Sequence, residues 1–183
     1  MPHSLAGLLA ALHLVTSFIA PQVLTQRLRS GEYLRMHVVA QDDTAEMQRI
    51  KLSVRDAVQD CYLQARDESL SGMQAQAEAV LPRLGEAARS RARAEGFTGE
   101  VTVTLGRQTF GERKWNGISV PAGEYPALMI LLGDAEGQNW WGLLDPETSL
   151  AFARAEPSEG SCLWDWSLQA LLAAIFGLPL AQT

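Results

Sequence analysis

Two carboxylates, Glu124 and Asp145, are the residues of this chain whose types would suit acid–base catalysis. Glu124 lies in the turn-like segment PAGEY, and Asp145 follows a pair of tryptophans. Hydrolysis of a glycosidic bond needs two carboxyl groups across a cleft, one of them acting as a general acid. The sequence therefore allows an extracytoplasmic hydrolase acting on cell-wall glycan, although sequence spacing does not place the two carboxylates together.

Metal binding and nucleophilic catalysis find less support. The three histidines are His3, His13 and His37, and two of them lie at the apolar start of the chain. A zinc site needs several converging His or Cys ligands, whereas Cys61 and Cys162 are 162 − 61 = 101 positions apart. The Gly-x-Ser-x-Gly, phosphate-loop and His-Glu-x-x-His patterns are absent from the sequence. We therefore expect no catalytic residue, no metal and no cofactor.

Composition places the chain among ordinary folded domains. It has 183 residues, of which 47% are hydrophobic and 20% charged, enough to build one core. Fifteen basic and 21 acidic residues give a formal net charge of −6. A field of this sign repels polyanions, so nucleic acid is not an expected partner.

Both ends of the chain are apolar. Residues 5–20 (LAGLLAALHLVTSFIA) carry no fixed charge and precede Pro21, so we assign residues 1–26 to an export signal or a membrane anchor. A helix of the protein core is the alternative. The main domain is predicted over residues 32–150. Residues 151–183 are predicted as a C-terminal loop and a docked apolar helix, since the apolar run 168–176 is too short to span a bilayer.

Hydrophobic periodicity predicts a strand, two helices and then further strands. Residues 34–40 (LRMHVVA) are rich in branched side chains and predict a strand that carries His37. Asp43 and Glu46 form a capping-box pattern, from which a helix is expected to run to about Arg66 with Cys61 facing the core. A second helix is expected to bend or restart near Pro82 and to end at Gly96.

The pattern changes to alternation after residue 100. Residues 101–105 (VTVTL) predict a half-buried strand, and residues 115–120 and 127–132 predict two more. This order lacks the regular alternation of a doubly wound sheet. It predicts an α+β fold, with two helices packed on a mainly antiparallel sheet in a single domain after the apolar N-terminal segment.

For two pairs of adjacent residues, the expected secondary structure determines how their side chains are oriented relative to each other. Trp140 and Trp141, if they lie on a strand, must point to opposite faces of the sheet. Arg55 and Asp56 are about 100° apart on a helix, so each is expected to find its own partner. That partner is either the sheet or the turn around Asp42, or else another protein.

Five segments occur in an order that resembles the stage II sporulation protein R family. They are LRMHVVAQDD, Gln48, KLSVRDAV, VPAGEYPAL and GQNWWGLL, and they extend over residues 34–144. The candidate positions, which either bind a partner or belong to the family motifs, are Arg35, His37, Asp43, Lys51, Arg55, Asp56, Pro121, Gly123, Glu124, Tyr125, Asn139, Trp140 and Trp141.

The chain departs from the family pattern at its cysteines. The family usually has a cysteine after the tryptophan pair and a second one in a following proline-rich stretch. This chain has Gly142 at the first place and residues 145–150 (DPETSL) at the second. The disulfide that the resemblance implies for the family is therefore absent here.

The resemblance also implies a function. It implies a signalling protein of sporulation with no chemistry of its own, secreted from the forespore into the space between two membranes, either free or held by an N-terminal anchor. It further implies that the protein activates a membrane-embedded aspartyl protease, which matures the precursor of the mother-cell sigma factor E. The glycan hydrolase described above is the alternative.

Overall fold

The computed structural model describes residues 20–115 and 118–153. Its elements in chain order are α1 (Ala20–Ser30), β1 (Arg35–Val39), α2 (Ala45–Ala65), α3 (Met73–Ala94), β2 (Val101–Phe110), β3 (Arg113–Trp115), β4 (Ile118–Val120), β5 (Gly123–Leu132), β6 (Asn139–Leu143) and α4 (Pro146–Ala153). The chain divides into two compact units. One comprises Leu28–Phe110 and Glu124–Pro146, and the other includes the remaining described residues.

The first unit is built on a four-stranded sheet with the order β2-β5-β1-β6. Strand β1 is parallel to β5, with Arg35 opposite Ala127, and antiparallel to β6, with Arg35 opposite Leu143. The predicted α+β class with a mainly antiparallel sheet is confirmed, the sheet being mixed. Helices α2 and α3 pack on each other, α2 also against β1 and α3 against β2. The described ranges contain four helices rather than the two expected.

The hydrophobic core lies between these two helices and one face of the sheet. The buried side chains of this core from the strands and from α2 are Leu34, Met36, Val38, Ala40, Leu128, Ile130, Leu132, Met47, Ile50, Val54, Val58 and Tyr62. Cys61, expected to face the core, is half-buried and packs at its margin. Within α2 the buried stripe passes through Val58 and Tyr62 rather than through Ala57 and Cys61.

The predicted start of α2 is wrong by one residue. The N-cap is Thr44, whose side chain accepts a hydrogen bond from the Met47 amide, and the Asp42 carboxylate accepts from the Thr44 amide at 2.9 Å and from its hydroxyl at 2.6 Å. These bonds hold the pKa of Asp42 below its ordinary value. Asp43 is therefore released from capping and bonds elsewhere.

Two other expectations about secondary structure are corrected. Helix α3 is continuous through Pro82, which excludes a restart, whereas the alternative of a bend at the exposed proline stays a prediction. Gly96 follows the helix with φ of 90°, as expected. The predicted strand at residues 115–120 is a hairpin of two short strands, in which Arg113 is opposite Val120. Because β3 and β4 pair in antiparallel fashion, these residues do not form a single extended strand.

The two predicted terminal segments fall mostly outside the described residues. Residues 1–19 of the proposed export signal or anchor, residues 154–183 of the proposed loop and docked helix, and Cys162 are among them. The end of the N-terminal segment, from Ala20, forms the first turns of α1. None of the helices in the described ranges is both long and apolar enough to cross a bilayer.

Candidate functional site

Arg35 and His37 lie on the sheet face opposite to the helices. Met36 and Val38 belong to the core beneath α2 and α3, and successive residues of a strand point to opposite faces. The register places Trp141 beside His37. Candidate residues that are distant in sequence are therefore neighbours on this second face.

Arg35 is surrounded by aromatic rings. Its guanidinium carbon lies 4.1 Å from the centre of the Phe110 ring, 4.9 Å from that of Trp141 and 5.1 Å from that of Tyr125. The side chain is almost fully buried, at 1% exposure. A cation over an aromatic face is stabilised more strongly when water is excluded. Arg35 on β1 thus packs with rings from the three other strands of the sheet.

His37 belongs to the same cluster. Its ring stacks on Phe110 with the centroids 4.5 Å apart and the planes 9° from parallel, and it lies 6.3 Å from the Trp141 ring. The Nδ1 atom is 2.8 Å from the Asn139 side-chain nitrogen, which acts as the donor. At 2% exposure the ring does not face solvent. We refer to Arg35, His37, Phe110, Tyr125 and Trp141 as the aromatic cluster.

Asp43 and Lys51 fasten the turn after β1 to the loop before β6. The Asp43 carboxylate accepts a hydrogen bond of 2.7 Å from the Gln138 amide, and Lys51 Nζ donates to the Gln138 carbonyl at 3.0 Å. Gln48 bonds to both side chains. Burial lowers the pKa of Lys51, and the nearby Asp43 carboxylate opposes this shift.

This fastening requires a glycine in the loop. A Cβ atom added at Gly137 would lie 2.3 Å from the Asp42 carbonyl oxygen, which is far inside van der Waals contact. The Gly137 amide donates to the Ala40 carbonyl at 2.9 Å. The backbone of the loop therefore lies directly against the turn.

Three polar residues of α2, spaced by four, follow strand β6. Lys51 binds the carbonyl of Gln138, and Gln59 donates to the carbonyl of Leu143 at 3.1 Å. Between them, the Arg55 guanidinium carbon lies 5.1 Å from the centre of the Trp140 ring. Residues four apart share a helix face, which explains how one helix meets both ends of the strand.

Arg55 and Asp56 bind each other, contrary to the expectation that each would find its own partner. Arg55 Nε donates to Asp56 Oδ1 at 2.7 Å, and Nη2 lies 2.6 Å from the same oxygen. The long arginine side chain bends around the helix and closes the 100° separation. The side chains are 25% and 57% exposed. An exposed pair of this kind contributes about 0–1 kcal/mol to stability.

The tryptophan pair confirms the expected alternation. Trp140 packs against the core on the helix side, and Trp141 lies against Arg35 on the other face. The Trp140 ring also covers Gly142, where an added Cβ atom would lie 2.8 Å from the ring. Glycine at position 142 therefore leaves the room that the indole occupies.

The remaining candidates lie around the start of β5. Pro121 and Glu124 are exposed, and Glu124 pairs with Arg107 at 3.4 Å. Gly123 has φ of 158°, which is nearly extended. Asp145, the other carboxylate considered for catalysis, is 10% exposed and pairs with Arg66 at 3.1 Å. Each of the two carboxylates is thus engaged by its own arginine.

Phe110 and Gln59 contribute to these contacts, although no pattern in the sequence singles them out. Phe110 is an even number of positions from the exposed Thr102 and Thr104 on β2, so the sequence predicts that it lies on the same face of the sheet as they do. It does not predict which residues of other strands Phe110 contacts. Gln59 is a polar residue beside an apolar stripe, a signal shared by many solvent-exposed positions. Within residues 20–115 and 118–153, His, Cys, Asp and Glu side chains do not gather in threes as metal ligands would.

Comparison with known proteins identifies the relatives of this chain. A family model described as Stage II sporulation protein R matches residues 30–155. A curated protein of Bacillus subtilis (strain 168), Stage II sporulation protein R, is 29% identical over 115 residues, which is 62% of this chain and 51% of the relative. The chain thus aligns with about half the length of that relative. No solved structure matches.

The matched region contains the whole four-stranded sheet, the aromatic cluster and the α2 residues that follow β6. It also covers every one of the thirteen candidate positions, from Arg35 to Trp141. The chain belongs to the stage II sporulation protein R family.

Proposed function

We propose that the protein is an extracytoplasmic signal of sporulation that activates a membrane-embedded aspartyl protease, which in turn matures the precursor of the mother-cell sigma factor E. The observation that carries this proposal is the match of residues 30–155 to the family model. In the proposed pathway the N-terminal segment directs export of the chain from the forespore. The protein then acts in the space between the two membranes, either free or anchored.

A role without catalysis is consistent with the surroundings of His37, Glu124 and Asp145, the side chains considered for acid–base chemistry. The His37 ring is stacked and hydrogen-bonded at 2% exposure, so a substrate in solution does not reach it. Glu124 and Asp145 are each engaged by an arginine. Such a molecule would act by presenting a surface to the protease.

Complementation tests the proposal directly. The full chain is expressed in the forespore of a Bacillus subtilis strain that lacks its own stage II sporulation protein R, and cleavage of the sigma factor precursor is followed by immunoblot. We expect cleavage with the full chain and none after deletion of residues 1–20, which would retain the protein in the forespore. Absence of cleavage by a stably expressed and exported full chain would contradict the proposal.

A substitution separates signalling from hydrolysis. Glu124→Gln removes the carboxyl group that a glycan hydrolase would use as its acid, a change that costs on the order of 10² to 10⁴ in rate. A signalling protein should keep its ability to trigger cleavage, since the exposed glutamine still occupies the same place. Loss of signalling by a folded Glu124→Gln variant would favour the hydrolase.

A further inference from the structure

The outward side of α2 carries an apolar residue among charges. Leu52 is 39% exposed, and no other large hydrophobic side chain whose burial the structure describes is exposed to this degree. Residues three and four apart are neighbours on a helix, so Leu52 lies beside Arg55 and Asp56. The Arg55 guanidinium in turn covers the Trp140 ring. We call Leu52, Arg55, Asp56 and Trp140 the α2 patch.

Arg55 differs from its neighbours along the helix in the contacts that it makes. Lys51 and Gln59, one turn to either side, are buried and donate to backbone carbonyls beside β6. Arg55 instead reaches the adjacent Asp56, and its guanidinium carbon lies over the Trp140 ring. A guanidinium held over an indole at the surface is a common anchor in protein interfaces, where Trp and Arg account for much of the binding energy.

The charges around the patch favour a cationic partner. Glu46 and Asp60 are exposed on the same side of the helix, whereas Arg49 is bound by Glu95. With Arg55 and Asp56 paired, the charges left over along this side are acidic. The whole chain has a formal charge of −6, which extends the same attraction over a longer range.

We infer that the α2 patch is the surface with which the protein binds its partner, and that the partner presents an apolar side chain flanked by Lys or Arg. The inference rests on the proposed function, in which the partner is the membrane protease. The apolar side chain would pack on Leu52, beside the Arg55 guanidinium that lies over the Trp140 ring. The flanking cations would face Glu46 and Asp60, the exposed acidic side chains beside the patch, an arrangement that also accelerates association.

Two variants test the patch. Leu52→Asp removes the apolar contact, and Asp60→Lys reverses the charge that the partner is inferred to meet. The matched control is Arg83→Glu, an exposed charge reversal on α3. The full chain is co-expressed with the full-length protease, and both co-purification in detergent and cleavage of the sigma factor precursor are measured. We expect both patch variants to bind at least about tenfold more weakly than the parent and the control.

The outcomes separate the inference from the proposed function. No cleavage with the parent chain would overturn the proposed function. Cleavage and co-purification by the patch variants at the level of the parent would overturn the inference alone, as would tighter binding of Asp60→Lys. Melting temperatures equal to that of the parent establish that a loss arises at the surface. Should Leu52→Asp melt lower, Leu52→Ala takes its place, with the same expected loss.

Discussion

The guanidinium carbon of Arg35 lies 4.1 Å from the centre of the Phe110 ring, although strand β5 separates their strands in the sheet. The contact is made across the sheet face, where His37 stacks on the same ring. One buried cation and one phenyl ring thus connect the edge strand β2 to the central strand β1.

Replacement of Arg35 by lysine should destabilise the protein despite the retained charge. Lysine lacks the planar group that lies against three rings, and its compact ammonium is more strongly hydrated. We expect the free energy of unfolding to fall by about 1–3 kcal/mol, measured by urea unfolding. The control is Arg29→Lys, because Arg29 is exposed and 5.7 Å from the Tyr125 ring centre. Equal losses in the two variants would contradict the special role of burial.

Gly142→Ala should also destabilise the protein, since the added Cβ atom would lie 2.8 Å from the Trp140 ring. We expect a loss of about 1–3 kcal/mol in the free energy of unfolding. In a double-mutant cycle, Gly142→Ala should cost much less stability in a chain that already carries Trp140→Leu, because the indole ring that meets the added Cβ atom is gone. As the control, Gly106→Ala in β2 meets no atom within 4 Å and should be neutral or mildly stabilising. Additive effects of the Gly142 and Trp140 changes would count against the clash.

The raised pKa of Tyr62 predicts that the free energy of unfolding falls at alkaline pH. Burial, chiefly, and the Asp145 carboxylate raise the pKa of Tyr62 from 10.0 to about 12. Between these two pH values the unfolded chain releases a proton that the folded chain keeps, so stability falls as the pH rises through this window. Tyr62→Phe removes this dependence, although it also removes the 2.6 Å hydrogen bond to Gln76. Urea unfolding at pH 8 to 11 measures both slopes, and equal slopes would refute the shifted pKa.

Gln59→Leu should cost about 1–3 kcal/mol of stability, because it leaves the carbonyl of Leu143 without the 3.1 Å bond from the Gln59 amide. The control is Gln64→Leu on the exposed side of the same helix, for which a change below about 0.5 kcal/mol is expected. Thermal melts of both variants make the comparison. A Gln59→Leu variant as stable as the control would show that the bond does not matter.

The sequence predicted the elements better than their pairing. Alternation along β6 was sufficient to place Trp140 and Trp141 on opposite faces, because that property is local. The proximity of Phe110 to Arg35 depends on the strand order β2-β5-β1-β6, which no local pattern encodes. The parallel pairing of β1 with β5 has the same origin, since these strands are joined through both helices and β2.

The misplaced details share a physical cause, which is competition between adjacent polar groups. Asp42, Asp43 and Thr44 can each accept from the first amides of a helix, and the choice of Thr44 follows from Asp43 being bound to the Gln138 amide 95 positions away. Similarly, the Arg55 side chain is long enough to fold back onto the adjacent Asp56, which the angular spacing of the two residues alone does not reveal. A sequence pattern shows which residue types suit a cap or an ion pair, but it does not show which of several suitable neighbours forms it.

The polar residues of α2 beside β6 have a consequence for the behaviour of the protein in concentrated mixtures. Among the strands that the structure describes, β6 is the outermost on its side of the sheet. The Leu144 amide donates to the Leu34 carbonyl, so the Leu143 carbonyl points away from β1. Such outward groups invite strands of other chains to add to the sheet and start aggregates. Gln59 occupies this acceptor, and Lys51 occupies the carbonyl just before the strand. By occupying these two carbonyls, helix α2 leaves fewer acceptors to which a strand of another molecule could bind at this edge.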